Sequence, residues 1–357
     1  MMPSVETAPT VTDEHRSSRR DRRRRRSLRK TVTRLLLATA LILTLFVGGA
    51  VALIHHWLAE IERIPGVFAD LQESARPPTV TDGGQTTFLL MGLDVRADDA
   101  TTGSDAAESN SGSRADAMMV VALQDDGSGV RVVSVPRDSW VEIPRHGMDK
   151  LNAAHAYGGP SLLVETVERI TGVRIDHVAT VDFRGFAALT DAVGGISVEV
   201  AGDTANWGHE FTEGKNFLDG ERALWYIRQR MDLPGGDLDR VQRHQNFLRA
   251  MMDTLSSPGT YRSPQQVKNV VQAVTRNISL DAGLDDSSLL GLAQVLRRTD
   301  RESFEFFTAP VSGTGLEGDR SVVYLDVDRG AEFWRAVAHG DPITPGLGAK
   351  TLPAVTK

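Results

Sequence analysis

Four arginines crowd the stretch "YIRQRMDLPGGDLDRVQRHQ", Tyr226 to Gln245: Arg228, Arg230, Arg240 and Arg243, with no lysine among them. A solvated surface is served equally well by either cation. Only guanidinium offers a planar fork that grips carboxylate or phosphate through paired hydrogen bonds. Pro234-Gly235-Gly236 breaks the stretch. Asp239, with Gln242 three residues on, reads as the capping box of a helix that starts at Arg240. The N-terminus of that helix, beside Arg240 and Arg243, is an anion site. His244 falls one turn from Arg240 on the same side. Arg228 and Arg230 are two apart, so an extended backbone would point both the same way.

Three more charged pairs flank apolar runs. Asp94 and Arg96 follow "TTFLLMG", Arg114 and Asp116 precede "AMMVVALQ", and Arg137 and Asp138 follow "VRVVSV". The second and third runs are joined by "DDGSG", a strong hairpin signal. The start of one strand therefore lies beside the end of the other. If the first and third strands are parallel, Asp94 joins Arg114, Asp116, Arg137 and Asp138 on one carboxyl edge, where open α/β sheets bind ligands. Two readings fit so much Arg and Asp. One is a network of structural ion pairs, which break even at best. The other is a diphosphate held by forks, with a hard divalent cation on one or two carboxylates.

The elements that must position these groups alternate between strand and helix. Strands are expected at "TTFLLMG", "AMMVVALQ", "VRVVSV", "HVATVDF", "ISVEV", "SFEFFTA" and "VVYLDV". Helices are expected near 151–157 (stopped by Gly158-Gly159), 161–170, within "RGFAALTDAVGG", and near 219–226, 240–255, 263–275, 286–297 and 329–337. Interleaving of this kind predicts a layered α/β domain with a mixed sheet. "RADDATTGSDAAESNSGSR" reads as a mobile loop. No internal repeat is visible.

Composition narrows the class. Of 357 residues, 40 are Lys or Arg and 47 Asp or Glu, a net charge of −7. Residues 1–34 carry 11 basic and 4 acidic side chains, so the rest is strongly acidic. An acidic body repels phosphate backbones, which argues against a nucleic-acid partner. With no cysteine in the chain, thiol catalysis and Cys-based zinc sites are excluded. The basic cluster directly precedes "LLLATALILTLFVGGAVALI", twenty uncharged residues from Leu35 to Ile54. That length spans a bilayer, and the flanking arginines place the N-terminus in the cytoplasm. A cleaved signal peptide fits less well, because the run is long and no Ala-x-Ala site follows it. The expected layout is a basic cytoplasmic tail (1–34), a transmembrane anchor (35–55), an extracytoplasmic linker (56–85), a catalytic domain (86–345) and a flexible tail (346–357).

Taken together, "FLLMGLDVR", "SRADAMMVVAL", "VVSVPRDSWVEIP", "DKLNAAHAYGGP", "VDFRGFAALTDAVGGISVEV" and "FLDGERALWYIRQR…GGDLDRVQRHQ" resemble the LytR-CpsA-Psr family, in that family's order. The resemblance implies an α/β/α sandwich, a three-layer fold with a mixed central sheet and an apolar channel for a lipid tail. It implies a cell-membrane phosphotransferase that moves a glycopolymer from a polyprenyl pyrophosphate carrier to the muramic acid 6-hydroxyl of peptidoglycan. Carried over by motif, Asp94 and Asp116 would hold Mg2+ (or Mn2+). Arg114, Arg137, Arg228, Arg230 and Arg240 would grip the pyrophosphate, with Arg114, Arg137 and Asp94 in the catalytic role. His244 stands where the family commonly has Gln. Both donate to phosphate oxygens, so a neutral exchange of donors is expected; the alternative is that the titratable proton of His adds a weak acid limb to a pH–rate profile. Asp138 is expected to cap its turn, and Lys150 and Asn152 to lie at the rim. A lipid-binding regulator or a pyrophosphatase would use the same residues.

Overall fold

The structure, a computed structural model, describes residues 56–79, 84–94, 114–229, 233–257 and 263–353. The apolar run at 35–54, the polar loop at 96–113 and Arg230 lie outside them.

In chain order the strands are β1 (Glu62–Ile64), β2 (Gln85–Asp94), β3 (Arg114–Gln124), β4 (Val130–Ser134), β5 (Trp140–Ile143), β6 (Gly147–Lys150), β7 (His177–Asp182), β8 (Ile196–Val200), β9 (Thr204–Asn206), β10 (His209–Phe211), β11 (Gly214–Leu218), β12 (Ile278–Asp281), β13 (Phe304–Thr308), β14 (Val311–Glu317), β15 (Arg320–Leu325) and β16 (Lys350–Thr351). The helices are α1 (Leu151–Thr171), α2 (Phe183–Ala192), α3 (Gly220–Arg228), α4 (Asp237–Ser256), α5 (Pro264–Asn277), α6 (Asp286–Arg298) and α7 (Val327–His339).

Eight strands form a mixed sheet in the order β1-β12-β7-β2-β3-β4-β13-β16. β2 and β4 flank β3, each antiparallel to it. They therefore run the same way, and their carboxyl ends share an edge with the start of β3. Side chains alternate across the sheet. Leu89, Met91, Met118, Val120 and Val133 face one core with α1 and α7. Met119, Val121, Leu123 and Val132 face another that includes Leu248 and Met252 of α4 and Leu292 and Val295 of α6. Helices therefore cover both faces. A third cluster joins β8 and β11 to α2, α3, α4 and α5.

Several expectations change. α4 begins at Asp237, capped by Gly236 at φ 59°, not by Asp239. The Asp239 carboxylate instead accepts from the Gly235 amide at 2.7 Å. The helical register reaches back because glycine tolerates the left-handed turn that ends the Pro-Gly-Gly break. Arg228 is the last residue of α3 rather than part of an extended segment. The helix stop expected at Gly158-Gly159 is present: the backbone is non-helical at both glycines, so α1 is two helical segments joined at a kink. β8 pairs with β11 and β15 with β14, both outside the main sheet. The residues expected as linker contribute β1, which pairs with β12. Arg76 there reaches the buried Glu168 of α1 at 2.7 Å. The residues expected as a flexible tail contribute β16, which pairs with β13. Both pieces are too short to show a period in sequence, and only their partners make them strands.

Candidate active site

The carboxyl edge of β2 and β4 collects the charged residues. β2 ends at Asp94, which lies in register with Arg114, the first residue of β3. Two residues on, Asp116 accepts a hydrogen bond from Arg137 at 2.5 Å. Arg137 Nε lies 3.7 Å from Asp138 and 3.6 Å from Asp237. Asp138 also meets Lys150 Nζ at 3.1 Å. The turn cap expected of Asp138 is thus a pair of ionic contacts. Asp237 is bonded in turn to Arg240, one helical turn along α4. Arg228 stands with its guanidinium 4.6 Å from the centre of the Phe183 ring.

The balance of these charges is uneven. Burial works against the Arg137 charge, but Asp116, Asp138 and Asp237 together hold its pKa above the ordinary value. Asp237 goes the other way. Burial pushes its carboxyl above the usual carboxylate range, opposed by Arg240 and reinforced by Asp138. Its Oδ2, like Arg137 Nε, is buried without a hydrogen-bond partner. Buried polar atoms are rarely left so, and leaving one costs about 1–3 kcal/mol. Asp237 joins the residues expected at this edge. Its signal was available: an acid three residues before Arg240, directly after the Pro-Gly-Gly break.

Two residues differ from expectation. Arg243 is fully buried and faces away from the rim. It donates to Gln229 and Thr204 at 2.8 Å each and lies over the Tyr226 ring at 4.4 Å. It braces α4 against α3 and β9. His244 is partly buried, with Nε2 3.0 Å from the Ile227 carbonyl. That contact makes Nε2 the protonated nitrogen, donating to the carbonyl. Burial, then the charge of Arg240, lowers its pKa to about 4. The imidazole is neutral at physiological pH, which agrees with a neutral exchange of donors and puts the alternative acid limb below the working range.

Behind the rim lies a cavity of about 310 Å³ between β2, β3 and β7 on one side and α2, α4 and α5 on the other. Asp116 and His244 lie in its wall, and the rest is largely apolar: Phe186, Phe247, Met251 and Val270 among others. Close helix packing shapes it. A side chain at Gly185 of α2 would meet the Asn277 carbonyl of α5 at 2.7 Å. A largely apolar hollow thus meets a carboxylate at Asp116, whose ion-pair partner is Arg137. Among the described residues, no group of three or more His, Asp or Glu is placed to hold a metal ion by itself.

A family model described as the LytR_cpsA_psr family matches residues 68–337. The chain is 33 % identical over 298 residues to the cell wall biosynthesis protein LcpA of Corynebacterium glutamicum, covering 72 % of this chain and 57 % of that one. It is 34 % identical over 205 residues to the polyisoprenyl-teichoic acid–peptidoglycan teichoic acid transferase TagU of Enterococcus faecalis, covering 57 % and 64 %. The chain thus spans less than two thirds of the length of either relative. Among solved structures, TagT bound to LI-WTA superposes with a TM-score of 0.56 at 25 % identity, covering 74 % of this chain and 94 % of that one. B. subtilis TagV superposes with a TM-score of 0.57 at 25 % identity, covering 73 % and 100 %. These matches, over more than half of its length, show that the chain belongs to the LytR-CpsA-Psr family.

Proposed function

We propose that this chain is a membrane-anchored phosphotransferase, a three-layer α/β/α sandwich on a single N-terminal transmembrane helix. It moves a glycopolymer from a polyprenyl pyrophosphate to a peptidoglycan hydroxyl outside the cell. The observation that carries this reading is the apolar cavity that ends at Asp116 and adjoins the Arg137–Asp237–Arg240 cluster. A polyprenyl tail needs such a hollow, and a diphosphate needs such forks.

In this reading Arg114, Arg137, Arg228, Arg230 and Arg240 hold the diphosphate oxygens, with Arg137 and Arg240 pre-placed by Asp116 and Asp237. The neutral His244 forms part of the cavity wall below the head group. Asp94 and Asp116 would hold a hard cation such as Mg2+ or Mn2+, a class of ion that one or two carboxylates suit. Such an ion, when bound, would neutralise charge on the diphosphate. The acceptor oxygen forms a bond to the glycan-side phosphorus as the bond to the polyprenyl phosphate oxygen breaks. The acceptor's proton passes to Asp237, whose burial raises its basicity toward the working pH. Polyprenyl phosphate leaves with the bonding pair, and Arg137 and Arg240 stabilise its charge.

The test is transfer itself. The full-length chain in detergent is mixed with a synthetic polyprenyl pyrophosphate oligosaccharide, a peptidoglycan acceptor and Mg2+, and the acceptor is weighed by mass spectrometry. Glycan phosphate on the acceptor, abolished by EDTA and by Arg137→Ala, is the expected result. Lipid bound without turnover would make the chain a regulator. Glycan phosphate released to water would make it a pyrophosphatase.

A further inference from the structure

The rim has a second margin, away from the cavity. Asp138 links Arg137 to Lys150 there, and neither Asp138 nor Lys150 lines the cavity. Lys150 ends the β5–β6 hairpin in register with Trp140. Beyond it, aromatic rings alternate with polar forks. Asp149 accepts from the Tyr157 hydroxyl at 2.6 Å and from Arg320 at 2.5 Å. The Arg320 guanidinium lies 4.8 Å from the centre of the Trp140 ring. Tyr157 stacks on His146 with centroids 4.7 Å apart and planes at 15°, yet remains 49 % exposed.

Flat, half-exposed rings beside charged planar donors and acceptors match the two faces of a pyranose. The C–H face packs on an aromatic ring as apolar surface, and the hydroxyls and acetamido groups bond to the forks. We propose that Tyr157, His146, Trp140, Arg320 and Asp149 form a saccharide subsite for the acceptor glycan strand. The proposal rests on the function inferred above and adds where the acceptor lies. Direction selects the acceptor over the donor. In an in-line displacement the attacking oxygen enters opposite the leaving group. The leaving polyprenyl phosphate is tied to the cavity, so the acceptor enters across the margin that is not cavity, over Asp138 and Lys150.

A purely structural role, bracing the hairpin, predicts something else, and binding without donor separates the two. The full-length chain in nanodiscs is titrated calorimetrically with a soluble tetrasaccharide of alternating N-acetylglucosamine and N-acetylmuramic acid. Tyr157→Ala is expected to weaken binding roughly three- to tenfold, the range of an aromatic contact. Tyr157→Phe keeps the ring and is expected to restore it. In the transfer assay, Tyr157→Ala should raise the acceptor KM in the same ratio and leave kcat and the donor KM within about twofold. Equal affinity in wild type and Tyr157→Ala, absence of tetrasaccharide binding, or a Phe variant as weak as the Ala variant would each overturn the subsite. If transfer succeeds and Tyr157→Ala changes nothing, the subsite falls and the enzyme stands. If the tetrasaccharide binds through Tyr157 but no acceptor is ever modified, the enzyme reading falls and the subsite stands.

Discussion

Arg137 is surrounded by three carboxylates, and its fork cannot be replaced by a point charge. Arg137→Lys is expected to lower transfer by roughly 10- to 100-fold, the loss of a charged hydrogen bond. A variant with full activity would remove the bidentate argument. Asp237→Asn should lower kcat in the transfer assay by about 10²–10⁴, the usual worth of a general base, and a kcat within about twofold of wild type would exclude that role. His244 makes a prediction about stability. Its pKa is about 4 in the folded chain against 6.5 as the ordinary value. Between those values the unfolded chain binds the extra proton, so stability is fully present above pH 6.5 and declines as pH falls toward 4. The contribution is about 3 kcal/mol by order of magnitude. Denaturant titrations of His244→Gln at pH 7 and pH 4.5 should lack this component, and an unchanged pH dependence would show that the fold does not hold the imidazole neutral. The residue types at the rim were legible in sequence, because Arg and Asp flanking apolar runs converge once the runs pair. Asp237 was visible as an acid before Arg240, but its role was not, because that depends on burial and on a helix that starts three residues earlier than its cap signals suggest.

At the scale of elements, the cavity depends on how closely α2 approaches α5. Gly185 permits that approach, since a Cβ there would press on the Asn277 carbonyl. Gly185→Ala is expected to cost about 1–3 kcal/mol, the range for overpacking, measured as a lowered midpoint of thermal or denaturant unfolding. An unchanged midpoint would mean that the two helices separate freely. The main strands and helices could be read from periodicity and turn residues, as with the "DDGSG" hairpin of β3 and β4. The short ribbons could not. β5 with β6 and β9 with β10 are only three or four residues per strand, too brief for alternation to stand out.

For the molecule from Trp57 onward, the sheet and cores join segments that sequence reading set apart. Arg76 meets Glu168 with both side chains largely buried, and β1 extends the sheet. Arg76→Ala should therefore destabilise the fold by about 3–5 kcal/mol, the cost of breaking a buried pair from one side. Loss of less than about 1 kcal/mol would place that pair in the surface class. The central claim is that one amphiphile is held with its tail in the cavity and its diphosphate at the rim. Photo-crosslinking tests it directly, using a polyprenyl pyrophosphate with a diazirine in the second isoprene unit and the full-length chain. Adducts are expected on α4 and α5, around Phe247, Met251 and Val270, displaced by unlabelled lipid and diminished by Arg137→Ala. Adducts confined to other surfaces, or insensitive to both, would contradict it.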